Sequence, residues 1–300
     1  MHMQTVWITG AQGQMARALY QQTPPGCAVR CFGRQQWDLS QPAKLELPRQ
    51  NLPQLLIHTA AMTDVDGAEK DPHLAFALNG TATERLAQWC ADYGIAMLAL
   101  STDYLFDGQA TRPYRPDDRV NPLSVYGRSK QVGEQAIQEI LGDQAAIIRT
   151  AWLYDGGSGR NFLTTMLRLM GQGTTPLRIV EDQWGAPTAC DALARVVWAL
   201  AQQLLDQAHG GGLYHWSCQG QSSWFEFAQT IQQIALEMGL LQHPVELQPI
   251  SAVQYGAPAP RPAYSVLDST LLVQRLGTVA QPPPWQQALR AVMQAMPPLK

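Results

Sequence analysis

Tyr126-Gly127-Arg128-Ser129-Lys130 places a phenol and an ammonium four residues apart. On a helix, positions i and i+4 share one face, so the two groups meet. A neighbouring cation favours phenolate and draws a tyrosine down from its usual pKa of about 10. Such a tyrosine can hand a proton to a carbonyl oxygen as hydride arrives at the carbon, or take it back. Lys130 can also hold a nicotinamide ribose. Alone, the spacing equally fits a surface helix with an exposed lysine and a half-buried tyrosine. Upstream, Ser101-Thr102-Asp103-Tyr104 ends an apolar run. Open parallel sheets gather ligands at strand ends, and the Thr102 hydroxyl there can hydrogen-bond the same carbonyl.

A phosphate loop comes first in the chain: Thr9-Gly10-Ala11-Gln12-Gly13-Gln14-Met15-Ala16. Gly10 permits a tight turn, and Gly13 lets backbone approach a pyrophosphate. The free N–H groups of Gln14 and Met15, at the following helix start, attract the anion. Ala16 supplies a third small residue for close packing of helix on strand. A strand ending in an acid would hold the ribose 2′-OH of NAD, but here Cys31-Phe32-Gly33-Arg34 has none. Arg34 suits a 2′-phosphate, which favours NADPH over NADH; its alternative is a solvated surface arginine. Asp38 and Leu39 face the adenine side.

These groups need a scaffold. Short apolar runs at 6–9, 28–32, 55–58, 95–100 and 145–148 read as strands. Helical patterns at 14–22, 79–93 and 124–140 lie between them, with Gly94 as a C-terminal stop. Alternation of this kind predicts an α/β fold with a doubly wound parallel (Rossmann-type) sheet, and a dinucleotide-binding domain over residues 1–150. Residues 151–300 are less regular. Helices are expected at 162–170 and 191–205, a strand at 213–217, and a capped helix start at Ser223 with Glu226. Segment 256–264 is proline-rich and irregular. This half reads mostly as a smaller substrate-binding lobe, with some segments returning to the first domain.

Composition narrows the field. The net charge is -3 with no Lys/Arg run, which argues against nucleic-acid binding. Five scattered cysteines form no CxxC pair, so neither a zinc site nor a disulfide framework is expected, and the six histidines lack ligand spacing. No metal is expected, and His58 reads as a satisfied structural histidine. The N-terminus lacks the features of a signal peptide and no apolar run is long enough to span a bilayer, so a cytoplasmic protein is expected.

The linked motifs resemble the extended short-chain dehydrogenases, and within them the dTDP-4-dehydrorhamnose reductase family, over nearly the whole chain. The resemblance rests on the loop from Gly10 to Gln14, Ala60-Ala61-Met62-Thr63-Asp64-Val65-Asp66, Ser101-Thr102-Asp103-Tyr104-Leu105-Phe106 and the Tyr126–Lys130 motif. Arg149-Thr150-Ala151-Trp152-Leu153-Tyr154 and Asn161-Phe162 follow. The more specific signals are Val180-Glu181-Asp182-Gln183-Trp184-Gly185-Ala186-Pro187-Thr188 and Arg261-Pro262 with Ser265, Leu267 and Asp268.

The resemblance implies reduction of the 4-keto group of dTDP-4-dehydro-L-rhamnose. Tyr126 would be proton donor, supported by Lys130. Gly13, Gln14 and Met15 would line the pyrophosphate, Asp38 and Leu39 would flank the adenine, and Ala61, Met62 and Thr63 would border the cofactor. Thr102, Asp103 and Trp152 would contact the sugar nucleotide. Trp152 also reads as a plain core aromatic. Arg261 suits either the substrate diphosphate or a structural pair with a carboxylate such as Asp268. Ala16, where the superfamily has glycine, and the missing acid at Arg34 are departures; the second leaves NADH open beside NADPH. No glutamate cluster matches the interfacial magnesium site of some relatives. Other classes stay in view: a non-catalytic cofactor-binding subunit, and a reductase or epimerase of another nucleotide sugar. A homodimer is one option for its assembly.

Overall fold

The computed structural model describes residues 3–157, 159–206 and 210–296. Strands β1 (Gln4–Thr9), β2 (Cys27–Phe32), β3 (Leu55–His58), β4 (Ala96–Thr102) and β5 (Ala145–Thr150) come from the first half. The short strands β6 (Leu153–Tyr154), β7 (Leu177–Val180), β8 (Trp184–Gly185) and β9 (Thr188–Ala189) follow, then β10 (Gly212–His215). Six of them form one sheet in the order β10-β5-β4-β3-β1-β2. Every pairing in it is parallel. The change of direction beside β1 puts the ends of β1, β3 and β4 at one crevice, where ligands of such sheets bind.

Side chains of a strand alternate between faces, and the core follows suit. Val6, Ile8, Leu55, Ile57, Leu98 and Ile148 belong to one buried cluster; Trp7, Leu56, Met97, Ala99 and Ile147 belong to another. Helices α1 (Gln14–Gln21), α2 (Val65–Lys70), α3 (Pro72–Phe76), α4 (Ala82–Tyr93), α5 (Val125–Leu141), α6 (Phe162–Gly171), α7 (Cys190–Leu205) and α8 (Trp224–Glu237) account for most of the covering. α4 and α5 pack together over the second cluster, and α1 and α7 over the first. The strand expected at 213–217 is β10, and it joins the edge of the main sheet beside β5 rather than a separate unit.

One expected boundary moves. Helical structure begins at Pro72, not at residue 79, because Asp71 caps the Leu74 N–H and Pro72 fits the first turn. A π-helical turn, Ala77–Thr81, then leads into α4. Gly94 ends α4 in the left-handed region at φ 65°, as anticipated. So does the capping box of α8: Ser223 Oγ accepts from the Glu226 N–H at 3.1 Å, and the Glu226 carboxylate accepts from the Ser223 N–H at 3.3 Å.

The fold buries an ion pair. Arg149 at the end of β5 holds Glu134 of α5 at 2.7 Å, both nearly fully buried. His58 bonds Thr9 Oγ1 at 2.8 Å and Thr83 Oγ1 at 3.2 Å. Burial pushes its pKa down to about 3, helped by the charge of Lys130, so it stays neutral. All five cysteines are free thiols. Among the described residues no helix is long and apolar enough to cross a membrane, and no cluster of His, Cys, Asp and Glu could hold a metal ion.

Candidate active site

A cleft of about 510 Å³ opens along the strand ends. Its floor is the β1–α1 turn. Gly10 has φ +79°, and a Cβ there would lie 3.0 Å from the Ala60 backbone. Gly13 caps α1 without a side-chain acceptor. The first N–H groups of the helix, at Gln14 and Met15, therefore face the cleft with no side chain competing for them. That is the arrangement a pyrophosphate needs.

At one end, Phe32 and Trp37 stack at 4.2 Å with a 15° interplanar angle, and Trp37 lines the wall with Arg34, Asp38 and Leu39. Arg34 is 77% exposed, with Nε 3.5 Å from Asp38 Oδ1. Hydrogen bonds from the Ser40 hydroxyl and N–H hold the Asp38 carboxyl below its ordinary pKa. The guanidinium thus sits at the mouth of the cleft, where it also donates to Ser40 Oγ at 3.3 Å. Ala61 and Thr63 border the middle. Met62 does not line the wall. Its backbone N–H donates to Asn79 Oδ1 at 2.8 Å, its carbonyl accepts from Asn79 Nδ2 at 3.1 Å, and its side chain joins the apolar cluster around Tyr126.

At the other end stand Tyr126 and Lys130 on α5. Ser124 caps this helix by accepting from the Gly127 N–H at 3.1 Å. A side chain at Gly127 would collide with the Tyr104 carbonyl, so glycine lets α5 start against the loop after β4. Asn79 fixes the next turn by donating to Ser129 Oγ at 2.9 Å, and Ser129 Oγ donates to the Tyr126 carbonyl at 2.8 Å. Lys130 is 7% exposed, and its ammonium donates to the Leu100 carbonyl at 2.9 Å.

The expected depression of the tyrosine is corrected here. Burial pushes the Tyr126 phenol up to about 12, against a lesser downward pull from the Thr102 hydroxyl. Burial likewise brings Lys130 down to about 8, despite Glu134. With the ammonium turned to Leu100, desolvation outweighs it at the phenol. Tyr126 is protonated at neutral pH, the form a proton donor requires.

Between these ends, Ser101 Oγ and Thr150 Oγ1 are buried with no hydrogen-bond partner among the described residues, and both residues line the cleft. Unsatisfied buried hydroxyls are rare, and here they point to a ligand. Together with the glycine turn they fit a dinucleotide whose nicotinamide end lies against β4 and β5.

Thr102, Asp103, Trp152 and Arg261 are not part of this wall. The Thr102 hydroxyl accepts from the Tyr104 N–H and donates to Asp103 Oδ1, each at 3.2 Å, and exerts the downward pull on the Tyr126 phenol. Trp152 adopts φ +46°, a strained value for a bulky side chain, and stacks on Trp224 at 3.5 Å and 5°. A Cβ on Gly185 would strike its ring. Arg261 pairs with Asp66 at 2.9 Å. The partner suggested from sequence, Asp268, instead lies 3.8 Å from Arg115 and caps Thr270. Sequence reading overlooked Trp37, Ser101, Thr150 and Asn79. The two hydroxyls carried a usable signal, since each ends a strand beside a motif already singled out.

A doubly wound parallel sheet, a glycine turn at a helix start, and a buried Tyr–Lys pair beside a strand-end hydroxyl define an oxidoreductase of the short-chain dehydrogenase class. The RmlD substrate binding domain model matches residues 3–297, and the chain belongs to that family. It is 36% identical to a dTDP-4-dehydrorhamnose reductase of Sinorhizobium fredii, over 96% of each chain. It is 39% identical to one of Mycobacterium tuberculosis, over 87% of this chain and 84% of that one. Among solved structures, dTDP-4-dehydrorhamnose reductase from Bacillus anthracis, in complex with NADP, superposes with a TM-score of 0.86 at 33% identity. That match covers 98% of this chain and 99% of the other.

Proposed function

We propose that the protein reduces the 4-keto group of dTDP-4-dehydro-L-rhamnose to give dTDP-L-rhamnose, with NADPH as the preferred reductant and NADH as the alternative. The observation that carries this reading is the Tyr126–Lys130 pair, seated at one end of a cleft that runs to the Gly10–Gly13 turn. Bound there, the nicotinamide supplies the hydride.

The roles of the chain's own residues follow. The Gly13–Met15 backbone binds the pyrophosphate. Arg34 meets the 2′-phosphate by charge-assisted hydrogen bonds, while Asp38 and Leu39 border the adenine. Ala61 and Thr63 flank the cofactor, with Met62 half-buried behind them. The unpartnered Ser101 and Thr150 hydroxyls, with Lys130, face the nicotinamide end. Thr102 and Tyr126 address the ketone oxygen, and Tyr126 gives its proton as the carbon is reduced. Its raised pKa favours holding that proton until charge develops on the oxygen, and Lys130 then stabilises the tyrosinate left behind. Asp103, Trp152 and Arg261 belong to the substrate side.

Residues 1–150 serve the cofactor in this reading, and 151–300 mostly the substrate, with β10 and α7 returned to the sheet. A cytoplasmic enzyme working on a soluble nucleotide sugar is proposed, with a homodimer as an assembly to be checked by light scattering. The test of function is isolation of the product: dTDP-L-rhamnose formed with stoichiometric NADPH loss supports the reading, and an unchanged ketone in the presence of bound NADPH refutes it.

A further inference from the structure

The helix that carries Tyr126 is held at its first turn from outside. The opening N–H groups of a helix have no partner within it. Ser124 accepts from one of them, at Gly127. Another, the Val125 N–H, donates to Glu69 Oε1 at 2.7 Å. Glu69 stands on α2, 56 residues upstream, and Val125 directly precedes Tyr126. A carboxylate suits the positive end of a helix, which strengthens this bond.

The short helix α2 is itself fastened. Asp64 caps it by accepting from the Gly67 N–H at 2.9 Å. Asp66 accepts from the Arg261 guanidinium at 2.9 Å and from the Ala259 N–H at 3.2 Å. Ala68, fully buried, packs in one apolar cluster with Val125 and Tyr126. Apolar contacts of this kind tolerate sliding, whereas a short hydrogen bond fixes both distance and direction. Further along α5, the Tyr126 carbonyl is met by Ser129, and Lys130 is held by Leu100. Loss of the Glu69 bond therefore frees the first turn and leaves the next one anchored.

We propose that Glu69 is a positioning residue of the reaction: its carboxylate seats the first turn of α5, and with it the Tyr126 phenol, without touching cofactor or sugar. Glu69 does not line the cleft. The proposal rests on the reductase reading above. Proton transfer is sensitive to such seating, since a displacement of about 1 Å can cost on the order of a hundredfold in rate.

The experiment compares wild type, Glu69→Ala, Glu69→Gln, Val125→Pro and the Ala/Pro double variant, with NADPH and dTDP-4-dehydro-L-rhamnose. It measures kcat, the sugar KM, the NADPH dissociation constant and the solvent deuterium isotope effect on kcat. Glu69→Ala is expected to lower kcat roughly tenfold, equivalent to about 1.4 kcal/mol of alignment. The sugar KM and NADPH binding stay at wild-type values. The isotope effect rises, because proton transfer from Tyr126 takes a larger share of each turnover. Glu69→Gln keeps an oxygen for the Val125 N–H and recovers most of kcat. Val125 holds the first position of α5 after its Ser124 cap, where proline is tolerated. Val125→Pro thus deletes the donor without breaking the helix, and reads the same bond should Glu69→Ala not fold. It repeats the loss of kcat, and the double variant is no slower than the slower single one.

Wild-type kcat in Glu69→Ala or Val125→Pro would overturn the proposal. A raised sugar KM or NADPH dissociation constant with unchanged kcat would make Glu69 a binding residue and overturn it equally. So would a slowed Glu69→Ala whose isotope effect does not move, since a loosened fold alone gives that result. If wild type itself leaves this sugar unreduced, the reductase reading fails separately, and the bond is read from amide hydrogen exchange. Glu69→Ala must then speed exchange over residues 124–130 while the rest of α5 keeps its protection; unchanged exchange there overturns the seating role.

Discussion

Replacing Lys130 by methionine should separate stability from activity. Lys130 is 7% exposed, and its ammonium donates to the Leu100 carbonyl. Burial lowers its pKa from 10.5 to about 8. At 1.36 kcal/mol per pH unit that drop corresponds to roughly 3 kcal/mol against folding with the charge in place. For a base whose folded pKa is depressed, the unfolded chain binds more protons between about 8 and 10.5, so stability rises with pH through that window. The full penalty applies at pH 7, and about 2 kcal/mol of it is relieved by pH 9.5. Methionine carries no such penalty but leaves Leu100 without its donor, at a cost of about 1–3 kcal/mol. Lys130→Met is therefore expected to melt near wild type at pH 7, yet some 4 °C or so below it at pH 9.5, taking roughly 2 °C per kcal/mol for a chain of this size. Its turnover should fall at least about a hundredfold at pH 7, as expected on losing a group that supports proton transfer. The assay is paired thermal melts and initial rates at the two pH values. Melting curves that run parallel between pH 7 and 9.5 would refute the reasoning, because an unburdened lysine would have no charge to relieve.

Arg34→Ala should weaken NADPH binding by about 10- to 100-fold, the loss of one or two charge-assisted hydrogen bonds, and leave NADH binding unchanged. Titration of both cofactors by protein fluorescence checks this, and equal losses would remove Arg34 from the 2′-phosphate. Gly10→Ala places a Cβ 3.0 Å from the Ala60 backbone at φ +79°; it should cost more than about 1 kcal/mol of stability and blunt the thermal shift produced by NADPH. Arg149→Leu strands Glu134 in the core and should destabilise by about 3–5 kcal/mol in urea. Adding Glu134→Leu should recover most of that loss, since the pair is then absent altogether.

The regular part of this molecule was legible in its residues. Buried parallel strands are short apolar runs, and Val6–Thr9, Leu55–His58 and Ile95–Leu100 needed no distant partner to be recognised. The Gly10–Gly13 turn, the Ser223–Glu226 cap and the Gly94 stop are local devices, so local reading found them. The Tyr126–Lys130 spacing set two groups on one helix face, but not the sign of the tyrosine's pKa. That sign depends on how deeply α5 is buried and on Leu100 capturing the ammonium, and neither is written in the spacing. The same holds for Arg261, whose carboxylate proved to be Asp66, far away in sequence, and not the nearby Asp268. Trp152 at positive φ, the π-turn that aims Asn79, and the return of β10 to the sheet edge all arise from tertiary packing overriding local preference.

The central claim is a hydride transfer to a ketone completed by a proton from Tyr126. Its most direct test is NADPH oxidation, followed at the nicotinamide absorbance band, with enzymatically generated dTDP-4-dehydro-L-rhamnose and with wild type and Tyr126→Phe side by side. Rapid oxidation by wild type, reduced about 100-fold or more in the variant while NADPH still binds, is the predicted result for loss of a general acid. Near-normal turnover by Tyr126→Phe would contradict it.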